Sequence, residues 1–278
     1  MAIPRGLSHA DPDLLAKVQD MESKQIVQRI QQHQQRGSEG FYSRAFTIPK
    51  PGKTERRFIF DLRQLNTHLS IPKFKMEKLG DALTLINRND WLTSIDITEA
   101  YHHVPMKQEH QRYLRFALRH PDGSVRLYQF RSLPMGLSIS PSAYSKVMKI
   151  PIEIIRSQGI RLAIYMDDML IISRSSAEAI KDVQLVLSVL DQAGFTANLD
   201  KSELTPKQSI KFLGMLIDTT SMTVSVPKQK VDNSKKLLNQ TRQCLESGNL
   251  SIRKLAQLIG TIGSLHHAIV DTRLRLVH

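Results

Sequence analysis

Residues 161–173 contain two short apolar runs separated by two adjacent aspartates, Asp167 and Asp168. Short runs rich in isoleucine and leucine are typical of buried strands, and the polar break between them indicates the tight turn of a hairpin. Burying these carboxylates beside apolar side chains is costly unless something compensates the charge, and a hard divalent cation is one such partner. Aspartate is also a common turn residue, so on this segment alone an ordinary turn is the alternative.

A third carboxylate occurs upstream in Asp96, which is flanked by Ile95 and Ile97. The two isoleucines predict a short strand, from which Asp96 can point to the same edge as the hairpin tip. Three aspartates carried by two strands can hold two magnesium ions. The sequence therefore predicts a metal site at this edge.

Several segments together resemble the reverse transcriptase family. Tyr165-Met-Asp-Asp168 resembles the family's signature, and Asp96 followed by Ala100-Tyr101 resembles its first catalytic strand. The matches keep the family's order from residue 41 to about 217. The other matching segments are Phe60-Asp-Leu-Arg-Gln-Leu-Asn66, Leu133-Pro-Met-Gly-Leu137 with Ser140-Pro141, Gly194-Phe195 with Lys201-Ser202, and Phe212-Leu-Gly214.

Within the family, the sequence looks most like DIRS-type retrotransposons, the elements that integrate with a tyrosine recombinase. Ty3/gypsy-like elements are the nearest alternative. The segments behind this interpretation are Gly40-Phe-Tyr-Ser43, Lys75-Met-Glu77, His103-Val-Pro105, Tyr113-Leu-Arg-Phe116 and Gly214-Met215.

The resemblance implies an α+β fold of the right-hand polymerase type, with fingers, palm and thumb and an antiparallel palm sheet backed by helices. On this division, the fingers comprise residues 1–70 and 104–139, the palm comprises residues 71–103 and 140–227, and a helical thumb comprises residues 228–278. Hydrophobic periodicity predicts helices over residues 11–36, 76–89, 140–159, 177–193, 228–246 and 251–268, and hairpins over residues 113–130 and 210–226.

The implied activity is that of an RNA-directed DNA polymerase, a nucleotidyltransferase that adds dNTPs to a primer 3′-hydroxyl. The implied partners are an RNA template, a DNA or RNA primer and dNTPs, and the implied cofactor is two Mg²⁺ ions, for which Mn²⁺ can substitute. Asp96 and Asp167 would bridge both ions, assisted by Asp168 and the Ile97 carbonyl. Lys201 would protonate the departing pyrophosphate, with an ordinary solvated lysine as the alternative.

A basic loop is expected to bind the triphosphate. Residues 45–48 and 57–60 predict a hairpin whose connection is rich in proline, glycine and cations. Such a loop can close over a triphosphate. By alignment from Asp61, Arg57 takes the family's arginine position and Lys50 its lysine position, with Lys53 as a competing candidate. An exposed charged loop is the alternative.

The resemblance implies that Tyr101 lies under the nucleotide sugar, where its ring would exclude a 2′-hydroxyl by steric overlap, with a tyrosine of the core as the alternative. The resemblance assigns further nucleotide contacts to Ile97, Glu99, Ala100, Met135 and Gly136. Met135 departs from retroviral enzymes, which carry glutamine there. The implied primer and template contacts are Tyr165, Met166, Leu213, Gly214 and Gly260, although a glycine within a helix also permits tight helix packing.

The charge balance fits a polyanionic partner, because 39 Lys and Arg residues against 26 acidic residues give a net charge of +13 and a pI near 9.9. A single cysteine, Cys244, excludes an intrachain disulfide framework and a cysteine-rich zinc site. No apolar run of ~18 residues and no signal-peptide pattern occurs, so we expect no membrane span and an intracellular location, in the cytoplasm, the nucleus or both.

Two other functions compete with this prediction. A retroelement-derived module could bind RNA without catalysis, although loss of function should damage buried carboxylates early and all three aspartates are present. An RNA-dependent RNA polymerase would share a palm of this kind, but Tyr101 argues against it.

Overall fold

The computed structural model describes residues 10–30, 40–50, 52 and 54–265. Its strands are β1 (Val27–Arg29), β2 (Arg44–Pro49), β3 (Arg56–Asp61), β4 (Trp91–Asp96), β5 (Arg115–Arg119), β6 (Val125–Phe130), β7 (Arg161–Tyr165), β8 (Asp168–Ser173), β9 (Glu203–Lys207), β10 (Ser209–Phe212), β11 (Met215–Asp218) and β12 (Thr223–Ser225). Its α-helices are α1 (Pro12–Ser23), α2 (Arg63–Asn66), α3 (Leu79–Leu83), α4 (Gln108–Gln111), α5 (Ser140–Ser157), α6 (Ser176–Gln192), α7 (Lys228–Glu246) and α8 (Ile252–Gly263).

The chain divides into two compact units. The first comprises Met1–Lys75 with Glu99–Ile150, and the second comprises Met76–Thr98 with Pro151–His278. We refer to them as unit 1 and unit 2. The polypeptide thus passes from one unit to the other three times.

Unit 1 is built from an antiparallel sheet in the order β1-β6-β5 and from the separate β2-β3 hairpin. Aromatic side chains form its interior, where Phe60 stacks on Phe130 with a centroid distance of 4.9 Å. Phe58 and Phe60 also make edge contacts with Phe116, which is fully buried. Such contacts bury large apolar area in specific geometry, and they attach the hairpin to the sheet.

Unit 2 contains a four-stranded antiparallel sheet in the order β7-β8-β4-β9. The consecutive residues Met169–Ile172 of β8 are all buried, which shows that both faces of this central strand are covered. Helix α6 packs on β8, β4 and β9 through buried residues that recur at helical spacing, including Ala179, Val183 and Val186.

A second apolar cluster in unit 2 joins this sheet to the small sheet β10-β11-β12. Leu170 and Ile172 of β8 belong to it together with Ile210 and Ile217 of the small sheet, and so do Leu79 and Ala82 of α3. Helices α7 and α8 follow and pack on each other. The Ser251 hydroxyl caps α8 by accepting a hydrogen bond from the Lys254 N–H.

The predicted α+β class with an antiparallel sheet backed by helices is confirmed. The hairpins over residues 45–60 and 113–130 occur as predicted, and so do the helices near residues 140–159, 177–193 and 228–246. The hairpin over residues 161–173 also occurs, with its turn displaced by one residue. The predicted hairpin over residues 210–226 is instead the three-stranded sheet β10-β11-β12, because the chain already turns at Leu213 and Gly214. The predicted helix over 251–268 occurs as α8, and the part of that prediction beyond residue 265 lies outside the described residues.

The predicted helix over residues 11–36 is wrong beyond Ser23. Gln25 adopts a left-handed backbone conformation with φ of 57°, and Val27 then begins β1, which pairs with β6 through Val27 and Phe130. The apolar residues after Met21 fit helical spacing, but pairing with a distant strand overrides that local pattern. Residues 31–36 of this prediction lie outside the described residues.

Two further differences concern unit 2. The predicted helix over residues 76–89 is reduced to the five residues of α3. Strand β9 was not predicted, because its sequence is polar and contains Pro206. Proline lacks the N–H that a central strand needs, but it is tolerated here because β9 forms an edge of the sheet. In the part of the chain that the structure describes, no helix has the length and apolar character needed to cross a bilayer.

Arg161, at the start of β7, forms a bidentate pair with Asp90, with N–O distances of 2.7 and 2.8 Å. The Asp90 side chain is only 5% exposed, so removing its partner leaves a buried charge uncompensated. We expect Arg161→Met to lower the free energy of unfolding by about 2–4 kcal/mol, measured by urea denaturation.

Arg242→Met is the control for that measurement, because Arg242 pairs with Glu246 on the exposed surface of α7. Losing an exposed helical pair of this kind should cost about 0.3–0.5 kcal/mol. Equal losses for the two variants would contradict a special role for the buried pair.

Candidate active site

The antiparallel register of β4 and β8 places Asp96 directly opposite Asp168. Asp96 is the last residue of β4, and Asp168 is the first residue of β8. Asp167 immediately precedes β8, so the three carboxylates occur together at one end of the two central strands of unit 2. The structure thus brings the three sequence-predicted aspartates together.

The turn before β8 consists of Met166 and Asp167, because Tyr165 already pairs with Asp168. The predicted turn at Asp167-Asp168 is therefore displaced by one residue. Met166 has φ of 56°, a left-handed conformation that costs a side-chain-bearing residue roughly 1–2 kcal/mol. The Asp167 carbonyl accepts a hydrogen bond from the Ile97 N–H at 2.9 Å, which ties the turn to the end of β4.

A short loop after α6 supports Asp96 from the other side. The Asp96 N–H donates to Ser202 Oγ at 3.0 Å, and that hydroxyl donates to the Asn198 carbonyl at 2.7 Å. The Asn198 N–H in turn donates to the Asp96 carbonyl at 2.7 Å. These bonds fix the backbone that carries the carboxylate.

The electrostatics of the site disfavour three free negative charges. Burial, together with the neighbouring Asp167 and Asp96 carboxylates, raises the pKa of Asp168 to about 6. Burial also raises the pKa of Asp96, while the Lys201 ammonium, at 3.6 Å from Asp96 Oδ1, opposes that rise. A cation placed among these groups would relieve the repulsion.

The donor set is suited to a hard divalent cation, because all three side chains offer carboxylate oxygens. Among the described residues, however, no three His, Cys, Asp or Glu side chains already converge as a metal-binding group. Mg²⁺ does not need such a group, because it is usually held by one or two carboxylates together with substrate phosphates rather than by a complete protein cage. The residues present therefore fit such an ion.

Apart from Ile97 of unit 2, the residues predicted to contact the nucleotide belong to unit 1. Tyr101 lies edge-on to Tyr144 with a centroid distance of 5.6 Å, and Tyr144 itself is buried. Glu99 has φ of 46° and its carboxylate lies 3.6 Å from the Lys24 ammonium, while Ala100 is buried. The ring of Tyr101 is thus held by packing against a buried aromatic side chain.

The loop containing Met135 and Gly136 is clamped by Asn66. The Asn66 amide donates to the Gly136 carbonyl and accepts from the Ser138 N–H, both at 2.9 Å. Gly136 has φ of 91°, and a Cβ there would lie 3.2 Å from the Phe60 carbonyl, so glycine is required at this position. Met135 is 64% exposed, so its side chain is available for contact.

The two candidate cations of the basic hairpin loop differ, because the lysine is in an ion pair and the arginine is exposed. Lys50 pairs with Glu55 at 2.7 Å, and Glu55 also pairs with Lys17. Arg57 is exposed, and no ion pair found within the described ranges includes it. The prediction for Lys53 lies outside the described residues.

The predicted primer and template contacts lie in unit 2. Leu213 and Gly214 form the turn between β10 and β11, with φ of 46° and 76°. Tyr165 is exposed beside the aspartate turn, where Met166 is half-buried. A Cβ built on Gly260 of α8 would meet no atom within 4 Å, so this glycine does not serve tight packing within the described chain.

The sequence matches the reverse transcriptase (RNA-dependent DNA polymerase) family over residues 24–217, which is more than half of the chain. The chain belongs to the reverse transcriptase family. Members of this family generally use divalent metal ions.

Known relatives are parts of larger polyproteins. The Gag-Pro-Pol polyprotein of Human T-cell leukemia virus 2 is 30% identical over 183 residues, covering 64% of this chain and 12% of the polyprotein. The retrovirus-related Pol polyprotein from transposon opus of Drosophila melanogaster is 26% identical over 171 residues, covering 61% of this chain and 16% of the polyprotein. This reverse transcriptase chain therefore spans only a small part of those relatives.

The fold is also found in a solved foamy viral protease-reverse transcriptase in complex with double-stranded DNA. The two structures align with a TM-score of 0.74 at 17% identity, covering 100% of this chain and 45% of the viral protein. At this identity the likeness shows the fold alone, which is the palm-type polymerase fold.

Several residues that organise the site were missed by the sequence interpretation. Ser202 and Asn66 fall within family-matching segments, but their roles depend on backbone groups 106 and 70 residues away in the chain. Asn198 lies outside all of the family-matching segments. Only the folded arrangement identifies such contacts, because their partners are main-chain atoms that any residue possesses.

The raised pKa of Asp168 predicts a pH-dependent effect on stability. Since the folded-state pKa of about 6 exceeds the ordinary value of 3.8, the carboxyl begins to cost stability above pH 3.8, and the cost is complete above about pH 6. With a chelator present, Asp168→Asn should therefore raise Tm at pH 8 and leave it nearly unchanged at pH 4. Thermal unfolding at both pH values measures this.

Asp232→Asn, an exposed substitution on α7, is the control for the same scans and should show no gain that depends on pH. Added Mg²⁺ should then raise Tm more in the parent than in Asp168→Asn, because ligand binding stabilises the folded state. An equal response of both proteins to Mg²⁺ would contradict a role for Asp168 in the metal site.

Proposed function

We propose that this reverse transcriptase domain is an active RNA-directed DNA polymerase that extends a primer 3′-hydroxyl with dNTPs on an RNA template. The observation that supports this most directly is the register of β4 and β8, which brings Asp96 opposite Asp168 with Asp167 alongside. A catalytically silent module would have no use for three mutually repelling carboxylates at one end of a buried sheet.

Each residue has a defined task in the proposed reaction. Asp96 and Asp167, assisted by Asp168 and the Ile97 carbonyl, would hold two divalent ions, which we propose to be Mg²⁺, with Mn²⁺ as a substitute. When bound, such ions activate a hydroxyl nucleophile and neutralise charge on phosphates. Lys201, whose ammonium lies 3.6 Å from Asp96 Oδ1, would donate a proton to the pyrophosphate as it leaves.

Residues of unit 1 would bind the incoming nucleotide. Arg57 and Lys50 would pair with the triphosphate, and for Lys50 this means exchanging the Glu55 carboxylate for phosphate oxygens. Tyr101, held against Tyr144, would exclude the 2′-hydroxyl of a ribonucleotide. Glu99, Ala100, Met135 and Gly136 would contribute the remaining nucleotide contacts.

The finer assignments follow from the same sequence matches. We propose fingers at residues 1–70 and 104–139, a palm at 71–103 and 140–227, and a thumb at 228–278. Tyr165, Met166, Leu213, Gly214 and Gly260 would contact primer or template. We further propose a DIRS-type origin, with Ty3/gypsy-like elements as the alternative, and action inside the cell, in the cytoplasm or nucleus.

Asp167→Asn should abolish primer extension while leaving primer-template affinity within about twofold, because it removes a metal ligand but little contact with nucleic acid. Extension of a DNA primer on a homopolymer RNA template measures activity, and fluorescence anisotropy measures binding. The control is Asp191→Asn on the exposed face of α6, which should extend primers as the parent does. Extension by Asp167→Asn within about tenfold of the parent would refute the metal assignment.

Tyr101→Val should reduce the preference for dNTP over rNTP, expressed as a ratio of kcat/KM values, by at least about tenfold, or roughly 1.4 kcal/mol. The reason is steric, since removing the ring removes its overlap with the 2′-oxygen. Tyr101→Phe keeps the ring and should keep the preference. If valine and phenylalanine variants discriminate equally well, Tyr101 does not exclude ribonucleotides.

A further inference from the structure

Strand β7 forms one edge of the four-stranded sheet, and two side chains close that edge. Tyr165 pairs with Asp168 across the two-residue turn, and alternate residues of an antiparallel strand direct their backbone groups to opposite sides. Leu162 and Ile164 therefore present their carbonyl and N–H groups away from β8. In an ordinary sheet, a neighbouring strand would satisfy these groups.

Arg156 and Glu77 occupy the place of that strand. Arg156, near the end of α5, donates from Nε and Nη2 to the Leu162 carbonyl, at 3.3 and 2.7 Å. Glu77 Oε2 accepts from the Ile164 N–H at 2.9 Å. Glu77 Oε1 and Arg156 Nη2 also pair with each other at 2.6 Å. The pair thus supplies a hydrogen-bond donor to the Leu162 carbonyl and an acceptor to the Ile164 N–H, as the backbone of a neighbouring strand would.

The location of this pair indicates a role beyond stabilising the fold. The two side chains are 40% and 32% exposed, and ion pairs with such exposure add little to the free energy of unfolding. Ile164, however, lies three residues before Asp167 and two before Met166, whose left-handed conformation persists only if surrounding contacts hold it. Metal-binding carboxylates must be positioned to within a fraction of an ångström, so the strand entering this turn must be fixed.

We propose that Glu77 and Arg156 are positioning residues that hold the β7–β8 turn, and with it Asp167 and Asp168, in the geometry needed for nucleotide addition. Neither side chain belongs to the group of catalytic carboxylates. They act through the backbone of Leu162 and Ile164. This proposal rests on the proposed polymerase function for its effect on the reaction, while its effect on the turn is independent of that function.

The kinetic test compares Glu77→Ala and Arg156→Ala with Arg161→Met, which breaks an ion pair at the opposite end of the same strand. At saturating dNTP and a temperature where all variants are folded, the first two should lower the single-turnover rate constant by about tenfold or more, with primer-template Kd within about twofold. Arg161→Met should lose more stability yet keep the rate within about threefold. A rate for Glu77→Ala within threefold of the parent, or a loss confined to Kd, would overturn the proposal.

Glu77→Gln separates the hydrogen bond from the charge. Its amide oxygen can still accept from the Ile164 N–H, so its rate should lie between those of the parent and Glu77→Ala. A glutamine variant no faster than the alanine variant would mean that this hydrogen bond does not position the turn.

Amide hydrogen exchange without metal or substrate gives a readout that does not depend on activity. The amides of residues 164–168 should exchange about tenfold faster in Glu77→Ala than in the parent, and Asp167→Asn should leave the Ile164 amide unchanged. Unchanged exchange in Glu77→Ala would overturn the proposal even if the rate fell, and so would faster exchange with an unchanged rate. A parent that extends no primer would instead refute the proposed polymerase function, and the exchange result would still decide whether the pair holds the turn.

Discussion

The pairing of β4 with β8 is the interaction on which the candidate site depends. It sets Asp96 against Asp168 while surrounding both strands with buried apolar residues, and that burial is also what raises the pKa of the two carboxyls. The hydrophobic core of unit 2 therefore stabilises an arrangement whose charged end is unfavourable without a cation. In the function that we propose, this local loss of stability is what allows the site to bind cations that arrive with substrate.

The surrounding contacts hold the backbone in place at this charged end of the two strands. Ser202 and Asn198 fix the backbone of Asp96, the Ile97 N–H holds the Asp167 carbonyl, and Glu77 with Arg156 closes the outer edge of β7. All of these supports act through the main chain. The carboxylate side chains are thereby left to interact with one another, with Lys201 and with whatever cation and substrate enter.

Unit 1 differs from unit 2, because it carries its polar and aromatic groups on a base of packed aromatic rings. The stacked phenylalanines at Phe60 and Phe130 form that base, and the Asn66 amide clamps the loop at Gly136. Tyr101 gains its rigidity from Tyr144. The basic loop contrasts with this, since its Lys50–Glu55 pair is a surface contact that other anions can replace.

The sequence by itself determined the fold class, three of the four predicted hairpins, most of the long helices and the three aspartates, because each depends on local periodicity or on adjacent residues in a motif. Only the tertiary structure decided where α1 ends, since Val27 follows its partner strand rather than its own helical pattern, and only it revealed β9, whose polar sequence and Pro206 are tolerated at a sheet edge. The same limit applies within the site. The hydrogen bonds that Ser202, Asn66, Glu77 and Arg156 make with main-chain atoms leave no pattern in the sequence, because their partners are groups common to every residue.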